Sequence, residues 1–199
     1  MTKDDVKILD QISLYEGFVK VKQYGLQHKL FAGGWTSPFT REVMIRAKAA
    51  AVLPYDPVLD RVVLQEQFRV GAISEQHNPW LIEIVAGLLE EGETPGELIH
   101  REAQEEAGLT ILDVLPIYDY WVSAGASNEY VNLFCGRVDS GKVGGIHGLP
   151  EEHEDIRVFT VSSQEAFMMA EKGQIKNAIC LLAILWLQLH KEQVREKWL

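Results

Sequence analysis

Three glutamates, Glu102, Glu105 and Glu106, stand at i, i+3 and i+4 along one segment of the chain. If that segment is helical, the spacing gathers all three side chains into a single stripe about 100° wide. Two readings compete for such a stripe. A solvated acidic face would need nothing beyond water, with Arg101 pairing Glu105 at i+4 for only about 0.3 kcal/mol. A hard divalent cation such as Mg²⁺ would instead take carboxylate oxygens as ligands, with water and substrate phosphate filling its remaining positions. The stripe follows a Gly-rich, acidic turn and abuts Ala103 and Ala107, small residues that permit close packing. A bound metal explains this clustering better.

The helix that would carry these residues has clear local signals. In Thr94-Pro95-Gly96-Glu97, Thr is the N-cap, Pro the first helical residue and Glu the partner three residues on, which together make a capping box. Gly108 supplies the stop, because a residue without Cβ takes the left-handed conformation that closes a helix. The spacing therefore predicts a helix from about Pro95 to Ala107. Upstream, Val6 to about Leu30 is rich in β-branched and aromatic residues, which suggests strands and hairpins. Val43 to Val52 and Arg61 to Gln67, separated by Pro54-Tyr55-Asp56-Pro57, read as a strand pair. Further strands are expected at Leu81 to Val85, Val114 to Val122, Tyr130 to Arg137 and Ile156 to Val161, with a loop from Val138 to Glu154. Helices from Ser163 to about Lys172 and from Ile175 to about Glu196 complete the chain. Mixed strands and helices indicate sheets covered by helices.

The length of 199 residues fits one globular domain with a short extension. Nineteen Lys and Arg against 29 Asp and Glu leave a net charge of −10, which would repel nucleic acid. Cys135 and Cys180 show neither zinc-ligand nor disulfide spacing and read as buried free thiols. The start, MTKDDVKILD, has no apolar stretch behind a basic head, so a cytoplasmic location is expected. The apolar run Ala178 to Leu187 falls short of the roughly 20 residues that span a membrane, and a buried core helix is the better reading.

Gly87, Glu93, Arg101, Glu102, Glu105, Glu106 and Gly108 occupy every invariant position of the Nudix box, Gly-x5-Glu-x7-Arg-Glu-U-x-Glu-Glu-x-Gly-U. Leu109 satisfies the second bulky aliphatic position, U, while Ala103 at the first is apolar but small. The chain thus resembles the Nudix hydrolases. That resemblance implies an α/β Nudix fold, an α/β/α sandwich around a mixed sheet, with an N-terminal β-rich extension over residues 1–45 and the hydrolase domain over 46–199. It also implies hydrolysis of a nucleoside diphosphate linked to another moiety, with Mg²⁺, or alternatively Mn²⁺, as cofactor. Beyond the box the chain is similar to bacterial ADP-ribose pyrophosphatases at Tyr15, Gly17-Phe18, Arg41-Glu42, Glu66-Gln67, Arg69, Pro79-Trp80-Leu81 and from Gly145 through Arg157. Where those enzymes commonly carry Ser-Pro-Gly, this chain has Ser123-Ala124-Gly125.

The resemblance assigns roles position by position. Glu102, Glu106, Glu154 and the Ala86 carbonyl would hold metal, with Glu105 beside them and Glu152 as catalytic base on a mobile loop. Glu93 and Arg101 would brace the box as an ion pair. The spacing of Glu152 and Glu154 aims both at one side only if their segment is extended. Arg41 and Arg69 match substrate-contacting positions, and Phe18 and Glu129 match positions that contact nucleoside or ribose. Phe18 in the core, or either arginine on the surface, is the competing reading. The resembled enzymes are homodimers whose N-terminal strands reach across a two-fold axis, so residues 1 to about 45 are a candidate dimer interface. The favoured reaction is cleavage of ADP-ribose to AMP and ribose 5-phosphate. The alternatives are hydrolysis of GDP-mannose or an ADP-sugar, or a Nudix-like module that binds a nucleotide without cleaving it.

Overall fold

Eleven strands and three α-helices form within residues 1–76 and 78–199, the residues described by the computed structural model. Two units are distinguished, Met1–Lys48 with Tyr120–Tyr130, and Ala49–Asp119 with Val131–Leu199. In the first, the β-rich N-terminal segment makes the expected hairpin, β1 (Val6–Glu16) against β2 (Lys20–His28). A third strand, β3 (Phe39–Ile45), pairs antiparallel with β2.

The second unit is built on a mixed sheet. Its strands are β4 (Ala49–Asp56), β5 (Arg61–Phe68), β6 (Trp80–Glu83), β7 (Val85–Leu88), all but the last two residues of β8 (Asp113–Trp121), all but the first residue of β9 (Tyr130–Arg137), β10 (Gly145–His147) and β11 (Ile156–Ser162). The main order is β10-β11-β5-β4-β9-β8, with β6 on β5 and β7 on β4. Only β4 and β9 run parallel among the registered pairs; β4–β5, β4–β7, β5–β6, β5–β11 and β10–β11 are antiparallel. Three expected boundaries move. The strand expected from Val43 to Val52 breaks between β3 and β4, and Pro54 stays inside β4. Asp56 builds the turn instead, accepting hydrogen bonds from the Val58 and Leu59 amides at 2.9 and 3.0 Å. The strand expected at Leu81 to Val85 divides at Ile84, where the chain leaves β5 and joins β4.

Helices cover both faces of this sheet. On α1 (Pro95–Ala107), Leu98, Ile99, Ala103 and Ala107 are buried against Ala50, Val52, Val63, Val85, Ile156 and Val158. Full burial of Leu98 and Ile99 stabilises this layer by roughly 1.5–3 kcal/mol each. Side chains alternate along a strand, so Ala51, Leu53 and Tyr55 of β4 face the opposite side. The long last helix, α3 (Ala178–Trp198), packs on β4 and β6, and α2 (Ser163–Glu171) on β5 and β11. α3 begins three residues later than expected because Asn177 caps it, its Oδ1 accepting from the Cys180 amide at 3.0 Å. Its far end is tied to the β4–β5 turn by Lys191 Nζ on Asp60 Oδ2 at 3.0 Å and Arg195 Nη1 on the Pro57 carbonyl at 2.7 Å. Both cysteines are buried and free. No helix among the described residues is long and apolar enough to cross a membrane.

Candidate active site

The carboxylate helix forms between the boundaries its sequence specifies. Thr94 Oγ1 accepts from the Glu97 amide at 3.3 Å while Glu97 Oε2 accepts from the Thr94 amide at 2.9 Å, and Gly108 closes the helix at φ 61°. The buried apolar stripe of α1 turns one edge of the acidic stripe inward. Glu106 is therefore only 2% exposed, Glu102 is largely buried, and Glu105 is about one-third exposed.

Arg101 gathers the outer carboxylates. Its Nε and Nη2 donate to Glu93 at 3.0 and 3.2 Å, the bracing pair expected from sequence, although both partners keep some solvent contact. Its Nη1 donates to Glu102 Oε1 at 2.9 Å and to Glu105 Oε2 at 3.0 Å. Among the described residues no three Asp, Glu, His or Cys groups converge on one point, and Glu102 and Glu105 both turn an oxygen to this guanidinium.

Glu106 has no such cation. Its Oε2 accepts from Gln65 Nε2 and from the Ala86 amide, each at 3.0 Å. Burial pushes its carboxyl up to about 8, with the charges of Glu102 and Glu154 adding to the effect. Burial likewise lifts Glu102 to about 7, where Glu105 and Glu154 oppose the pull of Arg101. Two buried carboxylates with oxygen donors, pressed together against their own charge, are chemically suited to a hard divalent cation. Gly87 permits the arrangement, because a Cβ there would collide with the Glu102 carboxylate.

Glu154 lies near enough to act electrostatically on both helix carboxylates. Its Oε2 accepts from the Leu149 amide at 3.3 Å, and Gly148, at φ 98°, leaves room for its Cβ. The segment holding Glu152 is not extended, so the condition under which Glu152 and Glu154 would point to one side is not met. Pro150–Glu152 is a 3-10 turn closed by His153 at φ 59°, and Glu152 is exposed on it. The presumed loop from Val138 also contains the short strand β10.

Arg69 is half exposed and bound, its Nε and Nη2 clasping Glu83 at 3.0 and 2.7 Å. Glu83, buried on β6, also accepts from Asn177 Nδ2 at 2.9 Å. In the N-terminal unit Phe18 is 94% exposed at the tip of the hairpin, which removes the core reading. Arg41 lies on β3 with its guanidinium 4.7 Å from the Phe39 ring centre and Nη1 on the Thr40 carbonyl at 2.8 Å. Glu129, with its amide on Ser127 Oγ at 3.0 Å, helps lift the Tyr120 hydroxyl, which burial pushes up to about 12. Gln65 and Glu83 escaped the sequence reading. The available signal was a polar residue interrupting a buried apolar strand, in Val62-Val63-Leu64-Gln65 and in Leu81-Ile82-Glu83-Ile84.

Comparison with known proteins identifies the family. The family profile described as the NUDIX domain matches residues 45–180. An ADP-ribose pyrophosphatase of Haemophilus influenzae is 42% identical over 200 residues, covering 99% of this chain and 92% of that enzyme. One from Escherichia coli is 42% identical over 196 residues, 98% of this chain and 94% of its own length. A GDP-mannose pyrophosphatase of Salmonella typhimurium is 32% identical over 149 residues, 74% of this chain and 77% of that enzyme. A crystal structure of an ADP compounds hydrolase superimposes with a TM-score of 0.74 at 18% identity, covering 98% of this chain and 99% of that one. With an unbroken box on a helix that buries two of its carboxylates, the chain belongs to the Nudix hydrolase superfamily and resembles bacterial ADP-ribose pyrophosphatases over nearly its whole length.

Proposed function

We propose that this hydrolase cleaves the pyrophosphate of ADP-ribose, releasing AMP and ribose 5-phosphate, with Mg²⁺ as cofactor. The observation that carries the substrate is the 42% identity, over 98–99% of the chain, to enzymes of that name. Glu102, Glu106 and Glu154 with the Ala86 carbonyl would hold the cation, and Glu105 would stand beside them. When bound there, a divalent cation neutralises phosphate charge and makes water easier to deprotonate. Glu152, exposed on its 3-10 turn, takes the proton from the attacking water. Arg69, whose Nε and Nη2 are fixed on Glu83, offsets phosphate charge with the rest of its guanidinium. Arg41 adds a second cation, exposed Phe18 offers a face to the nucleoside, and Glu129 serves the ribose.

The N-terminal sheet supports a homodimer. Every residue of β1 is exposed, including Ile8, Leu9, Ile12, Leu14 and Tyr15, and a second copy is the partner proposed for this apolar surface. The site of action proposed is the cytoplasm. The second reading, GDP-mannose, is supported by the Salmonella relative, while Ala124, where proline is common in ADP-ribose pyrophosphatases, is a departure from that pattern that points to no particular substrate. The intact carboxylates oppose a purely binding module. The test is kcat/KM for ADP-ribose, GDP-mannose, ADP-glucose and UDP-glucose at one Mg²⁺ concentration. ADP-ribose is expected to lead by about tenfold or more, about 1.4 kcal/mol in the transition state. A lead for GDP-mannose would overturn the substrate and leave the family untouched.

A further inference from the structure

Gln65 stands on β5 after three buried apolar residues, Val62, Val63 and Leu64, and is itself 1% exposed. A buried amide destabilises a fold unless its polar atoms are paired, so this position demands a reason. Half of the amide has one. Nε2 donates to Glu106 Oε2 at 3.0 Å, across 41 residues of chain, while Oε1 has no hydrogen-bond partner among the described residues. The Ala86 amide donates to the same Glu106 oxygen at 3.0 Å. Two donors from two different strands thus converge on one oxygen of one carboxylate. Together they fix the rotation of that carboxylate about its last torsion, and Oε1 of Glu106 is the oxygen they leave for another partner.

We infer that Gln65 is a positioning residue for the metal site: it holds Glu106 so that the carboxylate meets a divalent cation in one orientation. The inference rests on reading Glu106 as a cation ligand. Ligating carboxylates are themselves hydrogen-bonded in metal sites, and removing such an outer partner typically weakens metal affinity by about 10–100-fold. Leu and Met approximate the volume of Gln without its donor, so either replacement leaves Ala86 alone to orient Glu106.

The experiment titrates Mn²⁺ into the full chain and reads free Mn²⁺ by electron paramagnetic resonance, with no substrate present. Gln65→Leu, Gln65→Met and Glu106→Gln are compared with the parent, and circular dichroism selects the folded variants. The expected result is a Kd for Mn²⁺ raised about 10–100-fold in the Gln65 variants, with kcat recovering toward the parental value at saturating metal. A structural role alone would shift the melting temperature and leave Kd unmoved. If a folded Gln65 variant binds Mn²⁺ within twofold of the parent while Glu106→Gln loses it, the positioning role is overturned and the metal site stands. If Glu106→Gln also binds normally, both fall.

Discussion

Replacing Glu106 by Gln is expected to abolish activity and, unusually for a buried residue, to stabilise the metal-free fold. The amide keeps the carboxylate's shape and its oxygen can still accept from Gln65 Nε2 and the Ala86 amide. What disappears is a charge that the buried site resists. The Glu106 carboxyl stands at about 8 in the fold against an ordinary 4.5. Below about pH 4.5 both folded and unfolded chains carry the proton, and the group contributes nothing to the balance. As pH rises from there the unfolded chain ionises first, so stability falls until about pH 8 and is then level. At pH 7.5 the interval above 4.5 is 3 pH units, or roughly 4 kcal/mol at 1.36 kcal/mol per unit. At pH 6 it is half as long, roughly 2 kcal/mol. Urea denaturation in the presence of EDTA, at both pH values, measures these differences between parent and variant directly. Hydrolysis assayed with Mg²⁺ gives the other half, a loss of several orders of magnitude. A variant less stable than the parent at pH 7.5, or a stability difference that ignores pH, would show that Glu106 is a structural acceptor and refute the reasoning.

Three further outcomes are expected. Gly87→Ala places a methyl group where the Glu102 carboxylate lies, so kcat should fall by about 10²-fold, as for a misplacement of about 1 Å, and a parental rate would mean Glu102 is not needed where it stands. Glu152→Gln should lower kcat by about 10²–10⁴-fold with Mn²⁺ affinity preserved, and a larger effect from Glu151→Gln would move the base by one residue. Thr94→Ala removes the hydroxyl that caps α1 and should lower unfolding stability by about 1 kcal/mol in urea titrations; an unchanged midpoint would show that Pro95 and packing alone set the helix start.

What could be read from the chain in advance was local in origin. Thr94, Glu97 and Gly108 specify α1 through hydrogen bonds and backbone angles spanning a few residues, and Arg101 meets Glu93 and Glu105 within eight positions. The residues that went unread take their meaning from distant chain. Gln65 matters through Glu106, 41 positions on, and Glu83 through Asn177, 94 positions on. No periodicity encodes either meeting, since both depend on which strand lies beside which. The conformation of the Glu152 segment was open in the sequence for a different reason. His153 takes a left-handed conformation that a non-glycine residue adopts infrequently, and it closes the 3-10 turn that keeps Glu152 and Glu154 from sharing an extended segment.

The link from Asn177 to Glu83 to Arg69 also bears on the order in which the protein is completed during synthesis. A ribosome that has released residues up to Leu109 has delivered every member of the box and both strands that touch Glu106. It has also delivered Arg69 and Glu83, yet the residue that caps α3 and completes the polar surroundings of Glu83 comes 94 positions after that glutamate. Domains generally fold as units. Since α1 buries its apolar stripe against Ile156 and Val158 as well as against earlier strands, a box complete in sequence still lacks part of its support, and a nascent chain stalled before Asn177 would hold every strand of the sheet without the residue that completes the surroundings of Glu83.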